Sequence, residues 1–331
     1  MLKKYLLLPA LAGTALLTGC IKDDSSDCHP GLELAYAYTL NNEGVDRIAT
    51  EVDRITVFVF DEDGIYLDRY PFSEEEFKSK NHTVALPLQA GDYTVISLGG
   101  NLENSYSIGG KNNISAGLVP GKTRLEDFRV SLKCSHPLTG RPIGNNPASL
   151  FYSKSEVTAH VSKVNTYGVG LMKNTSTVLF RITEKYRENN GQTHPRTKAA
   201  SPYTLYCMGI NNLLDHQNNI PAEEAPEMQY NPHSISQHGN TYEKAVNMMR
   251  LIAGTPVNVT LQHTGTGKNL VNENLLSLIL AHKSKYSTQT DLDKEDLFTI
   301  DFEVNENPAN PDVSVTVKVN GWTVTIVRPE F

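Results

Sequence analysis

The sequence predicts an all-β protein made of two consecutive β-sandwich domains behind a cleavable N-terminal signal. Three observations lead there. Short apolar runs alternate with period two and are punctuated by Gly, Asn, Asp and Pro, the pattern of half-buried strands joined by turns. No amphipathic helices of about 10–15 residues alternate with these runs, which excludes a doubly wound α/β sheet. Tyr (15) outnumbers Phe (10), Trp occurs once, and Gly (23) and Pro (17) are plentiful, a balance that favours strands and turns over helices. A length of 331 residues suits about two domains of ~150 residues. Domains of that size bury roughly 70% of their unfolded surface and need no metal to hold a core. With 30 basic and 37 acidic side chains the net charge is −7, which argues against a nucleic-acid-binding surface.

The N-terminus is an address. Lys3 and Lys4 precede a mostly apolar stretch, Tyr5 to Leu17, closed by Leu17-Thr18-Gly19-Cys20. The stretch is shorter than the roughly 20 residues that span a bilayer as a helix and reads as a secretion signal. A Cys directly after Leu-Thr-Gly resembles the bacterial lipobox, in which the thiol is acylated and the chain is cut before it. Residues 1–19 are then a lipoprotein signal peptide, with Cys20 the lipid attachment point. Several acyl chains on one residue hold a protein durably, where one chain is marginal. Residues 20–27 form a polar tether. Within it Lys22, Asp23 and Asp24 resemble the surface-export signal of Bacteroidota lipoproteins. The expected location is the cell outer membrane, lipid-anchored and facing outward.

Three further Cys remain, Cys28, Cys134 and Cys207, in a compartment that permits disulfides. Cys28 precedes the first strand and Cys134 ends a later one. A bridge between them would contribute up to ~4–5 kcal/mol in the chain-entropy picture. Cys207 sits in the apolar run Tyr203 to Met208 and reads as a buried thiol. Three free thiols are the alternative.

The first domain is expected over 28–168. Leu32 to Leu40 places Leu32, Leu34, Tyr36 and Tyr38 on one strand face. Ile55 to Phe60 and Ile65 to Tyr70 flank Asp61-Glu62-Asp63-Gly64, a hairpin turn without the spacing of a calcium loop. His82 to Leu88 and Tyr93 to Leu98 make another strand–turn–strand unit, with Pro87 marking an edge or strand end. Phe128 to Lys133 and Val157 to Val164 are further strands, separated by a loop over 136–147.

The second domain is expected over 169–331. Ser176 to Thr183 opens it, Glu188 to Ser201 is a surface loop, and Asp215 to His238 is a long irregular connection. Val257 to Leu261 and Leu297 to Val304 are strands. Leu275 to Ala281 fits a short helix or a buried strand equally. Thr290 to Asp293 signals a helix start. Val313 to Val319, Asn320-Gly321 and Trp322 to Val327 form a hairpin, because both turn positions require positive φ.

Catalytic constellations are missing from the sequence. It holds no Gly-x-Ser-x-Gly elbow, no phosphate-cradling Gly loop before a helix and no His-Glu-x-x-His. The ten His are scattered, and His233 with His238 falls in a polar stretch. The expectation is a non-catalytic protein with no cofactor, no metal site and no small-molecule substrate.

The ordered pieces resemble the FimB-type fimbrial anchor subunits, fimbrillin-related surface lipoproteins of Bacteroidales. They are Cys20, Cys28-His-Pro-Gly-Leu-Glu-Leu-Ala-Tyr36, Val52 to Asp61 with Gly64, and Leu86 to Val95. Leu171-Met-Lys-Asn-Thr-Ser176, Met249-Arg-Leu251, Asn274-Leu275, Leu292 to Asp296 and Val319-Asn-Gly-Trp322 follow. The resemblance implies two tandem transthyretin-like β-sandwiches and a place at the base of a fimbrium. It also implies a fimbrillin shaft subunit as partner, joined by β-strand complementation. In related shaft subunits protease removal of the first strand opens a groove; here Arg47 and Arg54 would be the sites. An anchor cut there would lose its lipid, so it is expected to keep Leu32 to Leu40 and to use its C-terminal end. Trp322, Val324, Ile326 and Phe331 are the candidate strand-exchange residues, either as an internal hairpin strand or as a donated one. The alternative function is a surface adhesin, fimbrial tip or glycan-binding lipoprotein.

Overall fold

The computed structural model describes residues 31–136, 142–160, 163–186, 201–307 and 310–328. Cys20, Lys22, Asp23, Asp24, Cys28 and Phe331 lie outside the described residues, as do the signal peptide and the tether. The fold is all-β. Its first half carries β1 (Leu32–Ala37), β2 (Ile55–Phe60), β3 (Tyr66–Phe72), β4 (Thr83–Leu86), β5 (Gly91–Gly99) and β6 (Tyr106–Gly110). They are followed by β7 (Phe128–Leu132), β8 (Cys134–Ser135), β9 (Ile143–Gly144), β10 (Phe151–Ala159), β11 (Asn165–Gly170) and β12 (Met172–Lys173). The second half holds β13 (Thr175–Tyr186), β14 (Tyr203–Gly209), β15 (Leu213–Asp215), β16 (Met228–Tyr230), β17 (Ser234–His238) and β18 (Thr241–Met249). It ends with β19 (Val257–His263), β20 (Asn269–Asn274), β21 (Leu297–Asn307), β22 (Asn310–Val319) and β23 (Trp322–Val327).

In the first half a sheet of order β11-β1-β4 faces one of order β12-β10-β5-β2-β3. Leu32, Leu34, Tyr36 and Tyr38 pack between them against Ile55, Val57, Val59, Val95, Phe151 and Val157. The opposite face of the five-stranded sheet is buried as well. Phe58, Phe60, Ile96 and Leu98 meet Phe128, Val130 and Leu132 of β7, with the Phe58 and Phe128 rings edge-on at 5.4 Å. Burial on both faces explains why β2 is almost continuously apolar. In the second half a sheet of order β17-β18-β13-β21-β22-β23 covers one of order β20-β19-β14-β16-β9-β8.

The halves share sheets. β15 pairs with β7 and β16 meets β9 at Gln229↔Ile143, so the second core continues into the outer layer of the first. The step expected at 168/169 lies within β11, and the chain enters the second half through Leu171–Asn174.

Several expectations need correcting. β4 and β5 do not pair; they lie in opposing sheets. Pro87 lacks a ladder donor and ends β4, an edge strand, while Leu88 turns into the core. The strand expected at Val157 begins at Phe151, its polar Ser153-Lys154-Ser155 centre having masked the run. Asp215 to His238 is not wholly irregular, since it contains β16 and β17. The 136–147 loop contributes β9. β18 went unread because Lys244 occupies a core-facing position, buried with its Nζ donating to the Tyr203 carbonyl at 2.7 Å. Cys207 is a buried free thiol and Cys134 a half-buried one; the other end of the expected Cys28–Cys134 bridge lies outside the described residues.

Among the short helices, Leu275–Leu280 settles the ambiguous stretch as α1, and α2 (Gln289–Asp293) starts from Thr288 rather than Thr290. Thr288 and Asp291 form a reciprocal capping box. Asp291 accepts backbone N–H bonds from Ser287 and Thr288 at 2.9 and 2.8 Å. The Ser287 N–H leads in pulling its carboxyl from the ordinary 3.8 to about 2, followed by the Thr288 hydroxyl and N–H. A depressed carboxyl stabilises the fold above its unfolded pKa, and that contribution is lost as pH falls through the folded value. An NMR carboxyl titration of Asp291 should therefore show a midpoint near 2; a midpoint near 3.8 would mean the cap is absent.

Candidate strand-exchange site

A strand-exchange partner needs unpaired main-chain groups along an edge. β1 does not offer them. It is the central strand of its sheet, parallel to β11 and antiparallel to β4. Its inward residues are anchored individually. Tyr36 shares a hydrogen bond of 2.8 Å with Ser97 Oγ and stands edge-on to Phe77. Tyr38 packs edge-on to Phe151 at 5.0 Å. Burial, then the Asp296 carboxylate, pushes the Tyr38 phenol well above its ordinary pKa.

β23 does offer an edge. It pairs with β22 on one side and is the last strand of its sheet. Asn320 (φ 47°) and Gly321 (φ 81°) make the tight turn. The turn is fastened by Asn320 N–H to the Thr299 carbonyl (2.8 Å) and Thr299 N–H to Asn320 Oδ1 (2.9 Å). β22 turns Val315, Val317 and Val319 into the core. β23 itself carries no charge and no Pro, the usual guards of an edge. On the solvent face behind it, Lys318 meets Glu303 at 2.8 Å, and this ammonium leads in holding the Glu303 carboxyl below its ordinary range.

The alternation of Trp322, Val324 and Ile326 is interrupted. A bulge opposite Val317/Lys318 adds Val324 as an extra residue. Trp322 then stands opposite Val319 and Ile326 opposite Thr316, on different faces. Trp322 and Ile326 are 59% and 56% exposed, while Val324 packs partly onto the core with Val327. The Trp322 indole lies 5.6 Å from the His282 ring. The free Cys134 is remote in topology, on the edge strand β8 of the other sheet.

A polar network near the junction of the halves was missed, although the sequence pieces that carry the resemblance contain most of it. Arg250 and Asp293 pair through two 2.8 Å bonds with side chains 12% and 8% exposed. Buried Asn174 and Asn218 exchange amide hydrogen bonds of 2.6 and 3.0 Å, and Arg250 also donates to the Asn218 carbonyl. Beside them Arg47 and Lys173 bracket Glu51 and Asp296. Arg47, the first cleavage candidate, is thus tied across the halves. A polar cleft of about 260 Å³ opens between Lys173, Asp296, Thr177 and Asn247. Each of these carboxylates already faces a cation: Asp293 is paired within the second half, while the bonds of Arg47 and Lys173 to Asp296 fasten the two halves. No signal of spacing announces this network, because its members are far apart in sequence, as Tyr38 and Asp296 are (258 positions).

Comparison with known proteins gives a consistent result. A sequence model of the fimbrillin-A associated anchor proteins Mfa1 and Mfa2 matches residues 25–327. The solved fimbrial anchor protein Mfa2 from Porphyromonas gingivalis shares 19% identity at a TM-score of 0.69, covering 90% of this chain and 99% of that one. A Bacteroides thetaiotaomicron protein described as polysaccharide-binding shares 24% identity at 0.71, covering 91% and 98%. A Bacteroides ovatus protein described as an adhesin shares 21% at 0.72, covering 90% and 94%. At these identities the structural likeness establishes the fold. No curated protein sequence matches the chain.

The buried ion pair beside the junction can be tested directly. Asp293→Ala leaves Arg250 buried without its partner, a loss of about 3–5 kcal/mol for such pairs, and should lower the urea midpoint without changing the strand signal of the folded protein.

Proposed function

Because the chain belongs to the family of fimbrillin-A associated anchor proteins Mfa1 and Mfa2, we propose that it is the anchor subunit at the base of a fimbrium. Residues 1–19 are removed, Cys20 is acylated, and Lys22, Asp23 and Asp24 on the 20–27 tether direct the body to the outer face of the outer membrane. The body comprises two β-sandwich domains that meet at Leu171–Asn174 rather than at 168/169. It acts by binding and assigns no role to a cofactor or a catalytic group.

One contrast supports the point of attachment: the first strand is buried at the centre of its sheet, whereas β23 is an uncharged open edge. A fimbrillin shaft strand adds alongside β23, gaining affinity from main-chain bonds and specificity from side chains at alternate positions. The β22–β23 hairpin stays intact, so complementation here is addition to an edge. An adhesin reading draws on the exposed Trp322 beside His282, an aromatic platform on which a sugar ring can stack.

Ile326→Lys places a guard charge on the edge and should abolish capture of the polymerising shaft subunit by the soluble protein while its melting temperature holds. Capture with unchanged affinity by this variant, and by a folded chain lacking 327–331, would refute attachment at this end. Specific binding in a glycan screen, lost on Trp322→Ala, would favour the adhesin. Labelled palmitate should enter the wild-type protein in cells and not Cys20→Ala; equal labelling would remove the lipid tether from the account.

A further inference from the structure

Two strand pairs in this protein run parallel over long registers, and their ends are connected in a particular way. β1 and β11 are aligned over six pairs, from Leu32↔Asn165 to Ala37↔Gly170. The ladder is extended at both ends, by Asn165 N–H to the Gly31 carbonyl at 3.0 Å and Leu171 N–H to the Ala37 carbonyl at 2.8 Å. Thr166 Oγ1 donates to Glu33 Oε2 at 3.0 Å across the pair, and Leu32, Leu34, Tyr36 and Val169 bury its inner face. The N-terminal end of β1 is the end nearest the tether. The C-terminal end of β11 continues through Leu171 directly into the second half.

In a parallel pair those two ends lie at opposite extremities. Tension applied between them runs along the strands, so the inter-strand hydrogen bonds share the load and must fail together. When the loaded ends lie at the same extremity, the bonds are met one at a time and the pair peels. The arrangement recurs in the second half. β13 receives the chain from the first half at its N-terminal end, and β21, parallel to it from Thr177↔Leu297 to Tyr186↔Glu306, passes the chain on at its C-terminal end. Phe180 and Phe302 stack between them at 5.8 Å.

We propose that the β1–β11 pair is a shear clamp, which keeps the first sandwich closed when the second half is pulled away from a membrane-held N-terminus. The proposal rests on the anchor reading for the source of the load. The Asn174, Arg250 and Asp293 network sits where tension passes from one half to the other. Resistance to force is set by the unfolding barrier rather than by equilibrium stability, so the clamp is a property of geometry that a denaturation curve does not report.

Optical-tweezers unfolding of the unlipidated chain from residue 20 tests this. One handle is placed at the N-terminus and the other in the exposed turn at Gly239 between β17 and β18. In a second protein the N-terminal handle moves to the exposed Gly44, beyond the C-terminal end of β1. In a third it stays in place and the other handle moves to Val164, before β11. The last two geometries load the pair from one extremity. The first should require a several-fold higher force to open the first sandwich than either of the others, all three being confirmed folded by their melting curves. Equal forces in the first geometry and in whichever control folds would overturn the clamp, whatever shaft capture shows. A several-fold difference together with failed capture would sustain the clamp and dismiss only the anchor reading.

Discussion

The five-stranded sheet of the first half is buried on both faces, and most of the architecture follows from that constraint. β2 directs Ile55, Val57 and Val59 into one core and Phe58 and Phe60 into the other. A sheet so placed needs cover on each side. β1, β4 and β11 supply one, and β6, β7 and β15 the other. Since β15 belongs to the second half, that second cover joins the halves by construction. Burial of apolar surface in this shared layer binds the halves through the hydrophobic effect.

The polar fastening adds specificity of position rather than bulk attraction. A buried pair such as Arg250–Asp293 repays its desolvation only when geometry is good, and here two parallel bonds meet that demand. The reciprocal Asn174–Asn218 amides satisfy groups that would otherwise be orphaned in the interior.

What the sequence could reveal was governed by how local the cause was. The Asn320-Gly321 hairpin, the Asp61 turn and the alternating face of β1 are each dictated within a few residues, and each appears as read. β18 was hidden by Lys244, whose burial is made tolerable by a carbonyl on another strand. The alternation through Val324 is broken by a bulge set by its pairing with β22. The opposing placement of β4 and β5 depended on Leu88 reaching a core that only distant strands complete. Of the edge where a partner strand can add, the residues were legible but the geometry was not. The fastening between the halves was quoted piece by piece as a resemblance, yet its convergence is a property of the tertiary structure alone.

The late arrival of β11 has its own consequence for biogenesis. Its residues stand 133 positions after their partners in β1, so the earliest described strand to emerge during synthesis waits longest for completion of its own three-stranded sheet. Pairings of such long range form slowly. Until residue 170 is available, Leu32, Leu34 and Tyr36 lack one of the two strands that flank them. Closure of the first sandwich is therefore paced by the middle of the chain, and a mutation that delays β11 would prolong exposure of β1 without altering the finished molecule.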